Sequence, residues 1–480
     1  MKLRDSLIVL VLIVHHIAAY SQMQMGIAHD NINVLDGIRI NPALAVDPLP
    51  YLDIRGGGMY FFGTSNGAYL AADDFSPFTG KFPSEVSQNM NIEKVDGQVD
   101  FVLLGPAITA AIGKYSIGVS TAFRNYATGV NIPKEFTRGL IDGFQIPDYY
   151  GQRLEGQNYR TKAVSFLEFG LNGGMIVHQK GNTVVNFGIN LKYLLGIGGL
   201  DFLVDDFQYQ MHDSVNADVY EFTGKYGGSD LGFHPGVGYG ADLGFTIEKK
   251  VAPARYYEPH SPKSNCKYLD YVYRFGFSVL DIGAIKFKGS YYRDAVNSKG
   301  EWDNYANTRV KDVGQVISEL DKALISGVVD SKPTYYAKLP LSFSMQFDYN
   351  MGRGIFLNST LVYGAPLKNS FGGERISMLA ITPRYEGKRF GISAPVSINT
   401  TWKPAIGFGL RFWFLTIGTD NIIPWVVDMD VYRLDLYAHL KVPVFVNTKC
   451  KKRGLGEYDW HFSDCSAPGS RRVRKPKKFK

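Results

Sequence analysis

The chain has 480 residues, of which 20% are charged and 14% aromatic, with 52 Gly, 30 Tyr and 31 Phe. Three cysteines exclude a disulfide-dense secreted module and leave room for one intramolecular bridge and one spare thiol. The net charge of +7 excludes nucleic acid as a partner of the whole domain, because residues 449–480 alone carry +8 and the rest of the chain after the N-terminal leader is near −2.

The leader comes first. Lys2 and Arg4 precede an apolar run from Leu7 to Val14, and Ala19-Tyr20-Ser21 supplies small residues for a cut before Gln22, the pattern of a signal peptide over 1–21. His15 and His16 break that run well short of the roughly 18 apolar residues a membrane anchor needs. No Cys follows the cut to accept a lipid. Beyond the leader no stretch reaches the length of a transmembrane helix, so the exported chain is expected to be either soluble in the periplasm or a β-barrel.

Period-two alternation decides for the barrel. In 115–124, Tyr115, Ile117, Val119, Thr121 and Phe123 alternate with Ser116, Gly118, Ser120 and Arg124. In 184–195, Val185, Phe187, Ile189, Leu191 and Tyr193 alternate with Asn186, Gly188, Asn190 and Lys192. The same holds for Leu341 to Asn350, and for the last strand, where Tyr432, Leu434, Leu436, Ala438 and Leu440 alternate with Arg433, Asp435, His439 and Lys441. A soluble sandwich would alternate too. Strand length, the export signal and apolar stripes bounded by aromatics favour a transmembrane antiparallel β-barrel.

Tight turns at Gly113-Lys114, Lys180-Gly181-Asn182, Gly352-Arg353-Gly354 and Glu386-Gly387-Lys388 join alternating runs, while long polar connections are expected at about 63–97, 127–162, 197–235 and 290–336. With the first strand at Tyr51 to Phe62 running outward, the tight turns all fall on the periplasmic side and the long connections outside. The count closes at about 14 strands over 51–446, with the C-terminus in the periplasm of an outer-membrane protein. Tyr271 to Ser290 is read as one strand with a bend at Asp281-Ile282-Gly283-Ala284. Residues 301–326 are expected to be helical, because Val310, Val313, Ile317, Leu320 and Leu324 form one apolar stripe that would pack over the barrel mouth.

Chemistry-bearing motifs are few. Gly63-Thr64-Ser65-Asn66-Gly67 matches G-x-S-x-G without the strand-to-helix turn a nucleophile elbow needs, and the histidines are too scattered for a metal site. No catalytic residue, cofactor or metal is expected, and the protein is read as non-enzymatic. Glu168, Lys192, Asp242, Glu248, Asp348, Arg433, Asp435 and Lys441 sit on the polar phase of their strands with both signs mixed, which predicts a salt-bridged lumen. His439 shares that phase.

After the last strand comes a basic tail over 447–480. Its clusters Lys449, Lys451, Lys452 and Arg453, then Arg471, Arg472, Arg474, Lys475, Lys477 and Lys478, flank Trp460, and are expected to bind anionic cell-wall polymer such as peptidoglycan or an acidic periplasmic protein, with a solvated end as the bland alternative. Cys450 and Cys465 enclose a short loop and are the favoured disulfide in an oxidising compartment, with Cys266, in the connection 250–268, as the competing partner.

Asn41-Pro42-Ala43, Asp281-Ile282-Gly283, Leu339-Pro340, Gly407-Phe408-Gly409-Leu410 and Thr419-Asp420-Asn421 resemble an uncharacterised Bacteroidota outer-membrane barrel family, related in general form to FadL-like fatty-acid transporters and to PorV, an accessory barrel of the type IX secretion system. The resemblance spans about 26–446 and implies fourteen strands; FadL-like transporters place their N-terminal segment inside the lumen as a plug, so residues 22–50 are expected to be either such a plug or a periplasmic segment. Two functions follow as expectations. The favoured one is a scaffold or accessory subunit of a secretion or envelope assembly, embedded in outer-membrane lipid and engaging protein partners through its tail. The alternative is a transporter of small hydrophobic molecules.

Overall fold

A computed structural model describes residues 24–74, 85–229, 232, 236–264, 268–288, 291–303, 313–324, 326–332, 334–367, 370–400 and 404–445. The leader, the tail from 446 onward and all three cysteines lie outside these residues, so the disulfide and tail-binding expectations are not addressed by the fold.

Fourteen antiparallel wall strands close on themselves. They are β1 (Leu52–Ser65), β2 (Lys94–Ile112), β3 (Tyr115–Pro133), β4 (Arg153–Lys180), β5 (Thr183–Met211), β6 (Ala217–Ser229 and Gly236–Lys250) and β7 (Tyr271–Phe287 and Tyr291–Trp302). The circuit continues with β8 (Ser326–Lys332, Tyr335–Lys338 and Ser342–Gly352), β9 (Ile355–Gly364), β10 (Met378–Glu386), β11 (Phe390–Ser393 and Val396–Asn399), β12 (Ala405–Ile406 and Phe408–Phe412), β13 (Leu415–Thr419) and β14 (Arg433–Val444). Closure is made by β14 pairing with β1, from Leu52 opposite Val444 to Thr64 opposite Arg433.

The alternation in the sequence becomes inside and outside. On β5, Asn186, Asn190 and Lys192 are buried toward the lumen, whereas Phe187, Leu191 and Tyr193 are exposed on the outer surface. Polar groups therefore satisfy one another within, and the outer wall is apolar. Its exposed side chains run from Tyr115, Tyr349, Tyr385 and Trp413 beside the tight turns to Tyr193, Tyr239 and Tyr363 farther along the strands. Along the ladders Tyr363 lies six residues beyond Leu357, the partner of Tyr349, and Tyr193 six beyond Phe187, which is in register with Tyr115 through Met175, so two aromatic rows border an apolar band as in a barrel wall.

All the tight turns lie at one end, with both ends of the barrel segment. Gly113, Gly181, Gly352 and Gly354 turn the chain there with φ of +65°, +58°, +85° and +80°, a region open to glycine at no steric cost. The bend expected in β7 is a bulge between Val279 and Ile282, with Asp281 at φ +59°, and the strand continues beyond it, so one strand with a bend is the correct reading.

The other end departs from expectation. Strands β3 to β8 run past the apolar band, and most of the expected loops 127–162, 197–235 and 290–336 is ladder: β4 and β5 pair from Lys180 opposite Thr183 out to Arg153 opposite Gln210. One face of these extensions packs on apolar clusters with the helix and the connecting turns, and the other mixes polar and apolar side chains, so clean alternation fades while pairing persists. The helical connection is also shorter than expected. Residues 301 and 302 belong to β7 and the helix spans Val313–Ala323, with Ile317 and Leu324 buried and Leu320 half-buried against Tyr159, Val204, Phe222, Tyr226 and Ala295. Val310 lies outside the described residues.

Candidate functional site

The lumen at the turn end is filled by residues 24–50, which contain a helical turn (Val34–Gly37) and a 3-10 turn (Pro42–Ala45). These turns leave many backbone and side-chain polar groups to be satisfied by the wall, and the wall supplies them ring by ring. The carboxylate of Asp420 accepts the backbone N–H groups of Met25 and Gly26 at 2.8 and 3.1 Å. Asp30 binds Arg411 at 2.7 Å, Asn31 donates to Glu386 at 3.0 Å, and His29 contacts Thr360 at 2.6 Å. Asp36 sits between Lys441 at 3.1 Å and His439 at 3.2 Å. Asp47 pairs with Lys250 at 2.7 Å and accepts from the Tyr257 hydroxyl at 2.8 Å.

The tightest contact is made by Asn41-Pro42-Ala43. The Asn41 side-chain oxygen accepts the Ala43 N–H and starts the 3-10 turn, while its amide donates to the Phe245 carbonyl and to Gln346, both at 3.0 Å. Opposite it the wall presents Gly188, Gly244 and Gly276, where an added Cβ would run into Pro42 and Ala43 at the first position and into Asn41 at the other two. These three glycines form a seat with no space for side chains.

At the base, outside the wall strands, the connection between β6 and β7 closes under the plug. His260 is fully buried and its Nε2 lies 2.9 Å from the Pro48 carbonyl, to which the ring N–H donates. Burial pulls its pKa down from 6.5 to about 4.

Above the plug lies an ionic layer centred on Asp281, whose left-handed backbone aims its carboxylate inward. It accepts from Arg124 at 2.7 and 2.8 Å, Lys192 at 2.6 Å and Arg375 at 2.7 Å. Lys192 also binds Asp242 at 2.6 Å, and Arg124 binds Glu168. Of the other charges expected inside, Glu248 pairs with Lys250 at 2.5 Å, and Asp348 holds Arg384 at 2.7 Å and Arg274 at 3.2 Å. Arg433 lies 3.5 Å from Asp435, which accepts the Thr419 hydroxyl at 2.9 Å, and Lys441 reaches Asp36 in the plug. All eight named lumen charges are thus buried on the inner face, divided among the ionic layer, the plug seat and the turn-end network.

Arg124, Arg384 and Arg411 sit on the polar phase too and could have been found by the same rule. Asp30, Asp36 and Asp47 lie off any strand, and no periodicity marks them. Ser65 has a turn role: its hydroxyl donates to the Asp96 carbonyl and accepts the Gly67 and Ala68 N–H groups.

Beyond the ionic layer the interior becomes largely aromatic and apolar, beside a buried ion pair of Lys162 with Glu374 at 2.7 Å and Asp201, which accepts from the Tyr335 hydroxyl. Tyr126, Phe166, Leu194, Phe287, Tyr335 and Phe371 pack together with their neighbours, and Arg124 lies over the Phe166 ring at 5.4 Å, joining the two layers.

The profile of a family of unknown function matches residues 42–420, from the 3-10 turn of the plug to the end of β13. The chain belongs to that family, DUF5723. Nothing among curated proteins matches it. Solved structures similar to this DUF5723 member include the Ralstonia pickettii toluene transporter TbuX, at 8% identity over 85% of this chain and 93% of that one, TM-score 0.39. A Pseudomonas aeruginosa FadL homologue is 12% identical over 88% and 96%, TM-score 0.39. The Pseudomonas putida toluene transporter TodX is 9% identical over 84% and 90%, TM-score 0.32. The transport in those names is a property of those proteins.

Proposed function

We propose that this barrel sits in the outer membrane with its turn end in the periplasm, and passes small apolar molecules through a lumen that the N-terminal segment closes at rest. The observation that carries this reading is the layering of the interior: an apolar, aromatic layer toward the loop end, an ionic layer below it, and a plug held by hydrogen bonds and ion pairs at the turn end. A pure scaffold has no need of an apolar interior. The apolar layer suits a solute leaving water, and the hydrogen-bonded plug is the part able to move without unfolding the wall. The outer apolar band between two aromatic rows supports the membrane placement.

The test is uptake of an apolar fluorescent dye into liposomes holding the purified protein. The reading predicts faster uptake than in protein-free liposomes, and slower uptake when Phe287→Asp places a charge in the apolar layer. Equal uptake in all three would overturn it.

A second reading, a scaffold of type IX or envelope assembly, is favoured by the composition of 447–480, whose basic clusters and Trp460 suit an anionic polymer or an acidic protein. Pull-down with the full chain and with a chain ending at 446 separates the two. An unchanged partner set would sink the scaffold reading.

A further inference from the structure

Between the plug and the wall, beside the ionic layer, lies a cavity of about 40 Å³. We propose that it binds one small oxyanion, gripped by Arg39 of the plug and Arg55 of β1. This inference stands apart from the transport reading.

The first support is charge. The cavity wall carries five cationic side chains and four carboxylates. Arg124, Lys192 and Arg375 are taken up by Asp281, Asp242 and Glu168. Arg55 lies 3.7 Å from Asp36, and its Nε donates to the Gly105 carbonyl, which the bulge in β2 leaves out of the ladder. Arg39 forms no ion pair among the described residues; its only side-chain hydrogen bond there runs to the Tyr60 hydroxyl at 2.6 Å. Arg39 is half-buried and feels Glu168 only at a distance, without an ion-pair contact, so the cationic side chains of the cavity outnumber its carboxylates by one, an imbalance that a bound anion offsets.

The second support is the set of unmatched polar atoms. The Nη1 of Arg55 and both amide atoms of Gln24 have no hydrogen-bond partner among the described residues, and each of these side chains is only 3% exposed. Both line the same cavity. Two guanidinium groups and an amide form a donor-rich pocket, and the planar fork of arginine suits paired oxygens. Size sets the class. One water needs roughly 10–15 Å³ on this scale, so the cavity fits a carboxylate or a single phosphate or sulfate, and excludes nucleotides and sugars.

The experiment is calorimetric titration of the full-length protein in detergent with inorganic phosphate and, separately, with octanoate, against chloride at matched ionic strength. Wild type is expected to bind at one site. Arg39→Gln should weaken binding about tenfold or more, as loss of a charged hydrogen bond does, and Lys286→Gln, on the outer wall, should leave it unchanged. Arg39→Lys, which keeps the charge and loses the fork, should fall between and serves if the Gln variant does not fold, as judged by heat-modifiable migration. Phosphate binding identifies a free ion as the ligand, and octanoate binding alone identifies the head group of an amphiphile; either supports the site. No saturable binding of either, or equal binding by wild type and the folded Arg39 variant, overturns it.

Discussion

At the scale of single residues, the plug is held by shape at one point and by a neutral buried histidine at another. The glycine seat leaves no space beside Asn41-Pro42-Ala43, so Gly188→Val must displace the plug while leaving the β5 ladder intact, valine being a good strand residue. We expect this variant to keep a heat-modifiable barrel but to lose residues 24–50 to added protease, which wild type resists; a protected plug would contradict the seat. His260 sets the acid limit. Its folded pKa near 4 lies below the ordinary 6.5, so both states are neutral above 6.5 and the contribution is fully present there. Between 6.5 and 4 only the unfolded chain takes up the proton, and stability falls as pH falls, by about 3 kcal/mol in all. His260→Asn should flatten that dependence, read as denaturant midpoints at pH 4.5 and 7.

At the scale of elements, legibility followed the surroundings of each segment. Where one face of a strand meets apolar surroundings and the other the lumen, alternation is sharp, and Val185 to Tyr193 or Leu434 to Lys441 could be assigned to faces without a structure. Where β4 and β5 project beyond the apolar band, the contrast disappears and ladder reads as loop. The eight lumen charges could be placed by phase, yet their partners could not, because Asp36 meets Lys441 across 405 residues of sequence. The plug shows the same limit more sharply. Asn41-Pro42-Ala43 stands out as a motif, but its meaning lies in Gly188, Gly244 and Gly276, on three other strands. The helix Val313–Ala323 was visible as a stripe, and its buried Ile317 predicts its role. Ile317→Asp should release this helix from β6 and β7, seen as proteolysis confined to 303–326, with the barrel's melting temperature shifting little. Melting of the whole barrel instead would mean that the projecting strands support the wall.

At the scale of the molecule, fourteen strands give a lumen wide enough to need filling, and this chain fills its turn end with its own N-terminal segment, below an ionic layer and an aromatic layer built mainly on the wall. Removing one partner from a buried ionic network costs about 3–5 kcal/mol, so the plug and wall stabilise each other as long as the lumen stays dry. On the proposed transport function, release of the plug would replace those contacts with water, which solvates the exposed charges and opens a path. The central claim is that residues 24–50 are what closes the barrel. It is tested most directly by conductance across a planar bilayer, comparing wild type with a chain lacking 24–50, both shown to be folded by heat-modifiable migration. The account predicts a silent wild type and stable conducting steps from the deletion; a wild type that already conducts, or a folded deletion that remains silent, would contradict it.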